Sequence, residues 1–234
     1  MSRYNSDGGS RTGIFSDVLS RVFAWMSFGL LITAGVSFFV FKNPAWQMAI
    51  VSNPWIFIGL MIAQLAAVLV LSAGIQRISF STGFLLFTLY SILNGLTLST
   101  IFLVYTTASI VSTFLVTAVM FGGMALYGYY TDADLSAYGT YFKMALWGMI
   151  LALLINMFLR SSMFDLFISI IGVVLFSALT AYDVQRIRQI SFYLLDRGEE
   201  ADKVALIGAL QLYLDFINLF IYLLRLMGQR RDNE

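Results

Sequence analysis

Apolar and polar positions alternate along this chain in long blocks rather than every second or every third to fourth residue. Seven apolar runs stand out, at about 22–41, 55–76, 83–104, 108–130, 141–159, 164–183 and 204–226. Each is near the roughly 20 residues that a helix needs to cross about 30 Å of hydrocarbon. The two prolines, Pro44 and Pro54, bracket the first loop, so none breaks a helix interior. The pattern predicts an all-α integral membrane protein with seven transmembrane helices in one domain over residues 21–228. A polar tail over 1–20 precedes it and a short polar tail over 229–234 follows. The first run is too long for a signal-peptide core and has no small-residue cleavage site behind it, so it reads as an uncleaved span. No internal repeat is evident, which leaves the inverted-repeat signature of many transporters missing.

The last run, Val204 to Leu226, carries Asp215 near its middle. A carboxylate at that depth costs about 2.5–3.5 kcal/mol on insertion scales, so it is expected to face protein or water rather than lipid. Gly208, Gln211, Asp215, Asn218 and Tyr222 recur three or four apart and fall on one helical face. A polar stripe on an oily helix points into a bundle. Small residues four apart (Gly95 with Ser99, Ala118 with Gly122, Ala205 with Ala209) read as close helix–helix packing positions.

Composition narrows the chemistry. The chain is 59% hydrophobic and 12% charged, with a mean hydropathy of +0.83, far from the roughly 25% charged residues of soluble domains. A net charge of +1 offers no case for nucleic-acid binding. Without Cys there is no thiol or disulfide chemistry. Without His the usual near-neutral titrating group and commonest metal ligand are missing, so any pH response must come from carboxylates. Nine of the 14 basic residues (Arg3, Arg11, Arg21, Arg77, Lys143, Arg186, Arg188, Arg197, Lys203) fall on the N-terminal side of the spans. The other five are Lys42, Arg160, Arg225, Arg230 and Arg231. The positive-inside rule then predicts a cytoplasmic N-terminus and an external C-terminus.

A second carboxylate, Asp183, ends the sixth run in SALTAYDVQRIRQ. It sits where a helix macrodipole disfavours negative charge, and Arg186 at i+3 can offset this. If the sixth and seventh helices pack antiparallel, Asp183 and Asp215 can approach each other. Asp215 lies roughly 16 Å in from Val204 at 1.5 Å per residue, so the approach requires Val184 to Ile190 to continue the sixth helix beyond Asp183. Two carboxylates in one dry site would share a proton and behave as a coupled pair. Ionised, with nearby amides and carbonyls, they would form a weak and transient calcium site, as a permeation path requires. Arg77, closing the second run, is either a snorkelling positive-inside arginine or a cation that pairs with the carboxylates. Gln64, Asn94 and Asn156 either line a cavity or bond between helices, and Gln211, Asn218 and Asn94 are expected to support the carboxylates as polar neighbours. Phosphate-binding loops, EF-hand loops and zinc-protease motifs are missing, so no enzyme is expected. An intramembrane aspartyl dyad matches only as far as Tyr182-Asp183, because the second aspartate sits in LYLDF rather than GxGD.

LTAYDVQRI, GALQLYLDFINLFIYLLRLMG and SILNGLTLSTIF together resemble the Bax inhibitor one family, also called transmembrane Bax inhibitor motif proteins, over about residues 20–228. The likeness is closest to the family's bacterial inner-membrane branch. The resemblance implies six helices packed around a central seventh, and a pH-sensitive calcium leak with an aspartate pair as sensor. By motif the pair falls on Asp183 and Asp215, with Arg77 as the closing latch. Residues 184–203, with DRGEEADK, make a longer and more charged linker than the family pattern implies. The expected partners are the lipid bilayer and calcium. The alternative is a membrane-embedded regulator that conducts nothing and binds another membrane protein.

Overall fold

The computed structural model describes residues 7–191 and 198–231. The start of the N-terminal tail, Arg3 and Arg197 of the charge count, and residues 232–234 of the C-terminal tail lie outside that range. Among the described residues nine α-helices follow in chain order: α1 Asp7–Lys42, α2 Pro44–Ser52, α3 Pro54–Gly74, α4 Phe80–Leu98, α5 Ile101–Val104, α6 Thr107–Tyr130, α7 Gly139–Leu159, α8 Ser162–Ser191 and α9 Gly198–Met227. Short 3-10 turns, Ile75–Arg77 and Leu135–Tyr138, follow α3 and precede α7. Among the described residues seven segments are long and apolar enough to cross a membrane: Asp17–Lys42, Pro54–Gly74, Phe80–Val104, Thr107–Tyr130, Leu135–Leu159, Ser162–Ser191 and Gly198–Met227. The protein is thus an all-α integral membrane protein with seven transmembrane helices.

Three boundaries differ from the sequence reading. Helix α1 begins at Asp7, so most of the polar tail is helical backbone. Helix α8 runs past Asp183 to Ser191, and α9 starts at Gly198. The long linker expected over 184–203 therefore shrinks to the stretch between Ser191 and Gly198. Hydropathy stops at the charges of QRIRQ, but Val184 and Ile187 are buried there and keep one face of the helix packed.

Contacts divide the chain into two compact units, one holding residues up to Val104 with Gln189–Tyr213, the other Tyr105–Arg188 with Leu214 onward. Helix α9 thus belongs to the first unit through Tyr213 and to the second from Leu214. It is the most enclosed span, 67% of it covered by protein, against 6% for the Leu135–Leu159 span.

In the first unit α1 and α4 lie close because glycines line the contact. A Cβ on Gly95 would come within 2.8 Å of the Thr33 carbonyl, and one on Gly29 would meet the Phe87 ring. Trp25 meets Phe84 edge-on, Phe28 stacks on Phe84, and Phe41 on Phe102. Gln64 of α3 donates to Thr97 Oγ1 of α4 at 2.5 Å, so it is interhelical glue rather than a cavity wall. The α9 part is tied in by Tyr213, whose fully buried ring lies edge-on to Phe87 and Tyr90. Its hydroxyl lies 2.6 Å from Thr33 Oγ1. Thr33 already donates to the Ser91 carbonyl, so the tyrosine must be the donor to Thr33.

In the second unit α6, α8 and the rest of α9 meet. Gly128 of α6 lies against the Ala181 backbone of α8, and Gly172 of α8 against the Tyr222 ring of α9. Phe114 and Phe121 of α6 meet Phe216 edge-on, and Phe176 stacks on Tyr222. The far end of α9 and the residues after it are fastened at several points. Arg225 pairs with Asp165 at 3.2 Å, and Thr106 N–H donates to the Gln229 carbonyl at 3.1 Å. Of the small-residue pairs, Gly95/Ser99 and Ala205/Ala209 are enclosed. The third is corrected: Ala118 is exposed and nothing lies near Gly122, because that face of α6 turns outward.

Candidate functional site

Asp183 and Asp215 both belong to the second unit, and their side chains lie close enough to interact. The antiparallel register of α8 and α9, seen also in the Phe176–Tyr222 stack, makes this possible. The two carboxyls are 8% and 5% exposed, so little water reaches them. The depth mismatch noted from the sequence closes because α8 continues to Ser191 and sinks Asp183 into the unit.

Two carboxyl groups can hydrogen-bond only if one of them holds a proton, since an ionised carboxylate is acceptor-only. Asp215 Oδ2 is buried and has no hydrogen-bond partner among the described residues. A buried acceptor left open is costly, and it is the place where a proton or a cation would be received. Arg186, one turn beyond Asp183, is close enough to act on it electrostatically while its own side chain is exposed.

The other sequence candidates are placed less centrally. Asn218, one turn beyond Asp215, is half-buried and donates to the Leu214 carbonyl at 2.8 Å, which satisfies its amide locally. Gln211 is half-buried and Asn94 buried, both in the first unit. Asn94 donates to the Tyr90 hydroxyl at 3.3 Å. Asn156 closes its own helix, its Oδ1 accepting from Ser161 N–H at 3.2 Å. Arg77 ends the 3-10 turn after α3, is exposed and belongs to the first unit. Among the described residues no group of three or more acidic side chains is arranged to hold a metal ion, so any cation here would meet two carboxylates and neutral oxygens.

Two residues of this region escaped sequence reasoning. Gln185 drew no reading from the sequence and Arg188 only a place in the charge count, yet Gln185 is 6% exposed and binds backbone of the α6–α7 connection, while Arg188 binds the Tyr129 carbonyl in the last turn of α6. Their spacing of three was the only available signal.

The fold and the carboxyl pair define a class: a multi-pass helical membrane protein with two acidic side chains buried together between two of its spans. Comparison with known proteins narrows it. Residues 15–232 match the family described as inhibitor of apoptosis-promoting Bax1, and the chain belongs to that family. Among its relatives, the inner membrane protein YbhL of Escherichia coli K12 is 49% identical over 221 residues, covering 91% of this chain and 92% of that protein. An uncharacterised Borreliella burgdorferi protein is 48% identical over 215 residues, 92% and 93% of the two chains. One from Deinococcus radiodurans is 42% identical over 214 residues, 92% and 90%.

Proposed function

We propose that this protein is a pH-sensitive, calcium-permeable leak path and not an enzyme, gated by the Asp183–Asp215 pair. It would lie in a bacterial inner membrane, as the name of the Escherichia coli relative suggests. The observation that carries the reading is the close approach of two buried carboxyls, one with an unpartnered oxygen. Protonated once, the pair is closed on itself. Losing that proton leaves two like charges in a dry enclosure, and unit charges about 4 Å apart repel by roughly 4 kcal/mol at an effective dielectric of 20. The charges must then separate or admit a cation. Calcium prefers oxygen ligands, and two carboxylates with a few neutral oxygens would hold it weakly enough to let it pass. In this reading Arg77 is a competing cation that favours the closed state. Seven crossings put the two ends on opposite faces, with the N-terminus cytoplasmic in this reading.

The test is calcium entry into dye-loaded liposomes holding the purified protein, across pH. Asp215→Asn is expected to flatten the pH dependence, and Arg77→Ala to raise the resting leak. No flux at any pH, with a co-purifying membrane protein retained after both aspartates are replaced, would instead establish the non-conducting regulator.

A further inference from the structure

The stretch between the two prolines reads as a loop in the sequence but is helical, as α2. Asn43 and Asn53 precede α2 and α3, and each is followed by a proline at the first helical position, where the missing N–H costs nothing. The nine residues of α2 reach roughly 14 Å at 1.5 Å per residue, less than half of the about 30 Å of a hydrocarbon core. So α2 is no span. A single residue joins it to α1 and a single residue to α3, which tethers it at the membrane surface.

Only Ile50 of α2 is buried. Met48 is 70% exposed and Trp55, at the start of α3, 80%, while Trp46 and Val51 are also bare. Gln47 and Ser52 are the helix's only polar side chains, and no Asp, Glu, Lys or Arg occurs between Lys42 and Arg77. A helix that is apolar all round belongs in an apolar setting, yet protein leaves this one uncovered. Three observations say what covers it. Its polar neighbours turn back on their own backbone: Ser52 Oγ donates to the Met48 carbonyl at 2.5 Å, and Asn43 Nδ2 to the Phe39 carbonyl at 2.7 Å. Where water is scarce, polar groups must be satisfied internally in this way. The exposed apolar positions also run on along the chain into Phe38 and Phe39 of one membrane span and Ile56 and Ile58 of the next. Finally, the Lys42 ammonium lies 5.4 and 5.9 Å from the Phe38 and Phe41 ring centroids, its stem laid along apolar surface as at a water boundary.

We propose that α2 is an interfacial anchor, lying along the bilayer surface with Trp46, Met48, Val51 and Trp55 sunk into the boundary between headgroups and acyl chains. Lipid is its partner. Indole rings favour that boundary. The anchor fixes how deep α1 and α3 sit, because each is joined to α2 through one residue. Nothing in it depends on calcium conduction.

The chain's lack of cysteine makes labelling direct. In nanodiscs, nitroxide labels on full-length Met48→Cys and, separately, Val51→Cys should be reached by oxygen and shielded from a water-soluble nickel chelate, at a depth of about 5–10 Å. A label on Asp132→Cys, exposed in the α6–α7 connection, gives the water reference, and one on Leu115→Cys, exposed on α6, gives the lipid reference. Should a labelled variant fail to fold, the same depth is read from Trp46 alone, with Trp25, Trp55 and Trp147 replaced by Phe. Brominated lipids should then quench its fluorescence, and acrylamide should leave it. In an Ile56→Cys reporter, adding Met48→Asp and Val51→Asp should shift the label toward water. Labels as open to the nickel chelate as that on Asp132→Cys overturn the proposal. Labels closed to both reagents also overturn it, since a second copy or another protein would then cover α2. An Ile56→Cys label whose depth ignores the two aspartates removes the anchoring role.

Discussion

Two glycines six positions apart on α6 should respond in opposite directions to one added methyl. A Cβ at Gly128 would stand 2.7 Å from Ala181 Cα and 2.8 Å from its carbonyl carbon, and closer still to its oxygen. Ordinary carbon contacts lie at about 3.5–4.0 Å, so α6 and α8 must part by roughly 1 Å. The obstacle is backbone, which no rotamer change relieves. Overpacking of this kind costs about 1–3 kcal/mol. At Gly122 nothing lies within 4 Å of the new Cβ. The substitution there only removes a flexible residue from a helix interior, which stabilises by about 0.5–1 kcal/mol. Gly128→Ala and Gly122→Ala should therefore differ by about 1.5–4 kcal/mol in stability, with opposite signs against the natural protein. Thermal unfolding in detergent reads this as one midpoint below and one above. Because Ala181 is two residues before Asp183, Gly128→Ala should also alter the pH profile of calcium entry, which Gly122→Ala should leave alone. Midpoints that move the same way would refute the reasoning.

The Thr33–Tyr213 bond gives an asymmetric pair. Tyr213→Phe removes a donor while Thr33 still donates to Ser91, and should cost about 0.5–1 kcal/mol; Thr33→Val leaves the buried Tyr213 hydroxyl without its acceptor and should cost about 1–3 kcal/mol in the same unfolding measurement. Equal losses would contradict the donor assignment. The Arg225–Asp165 pair has side chains 35% and 36% exposed, so Asp165→Asn should lower stability by under about 1 kcal/mol, and less still in high salt. A larger or salt-independent loss would mean that the pair is enclosed.

Seven spans were legible because crossing hydrocarbon demands about twenty apolar residues, a signal that needs no tertiary knowledge. Asp183 and Asp215 were legible for a related reason: a charge within an oily run has to be explained. Their meeting depended on where α8 ends, which hydropathy misplaced by counting Arg186 and Arg188 as a boundary. A helix leaving the membrane keeps its buried face, carried here by Val184 and Ile187. Gln185 was invisible for the complementary reason, since a glutamine among charges looks solvated until its two backbone partners are known. Spacing alone misassigned Ala118 and Gly122, because a small-residue stripe does not tell which way its face turns.

The most direct measurement is calcium entry into liposomes across pH, with the natural protein beside Asp183→Asn. If the two carboxyls share one proton and gate by losing it, the natural protein conducts in a pH-dependent way and the variant, whose amide donates without titrating, does not. Identical pH profiles for the two would contradict the account.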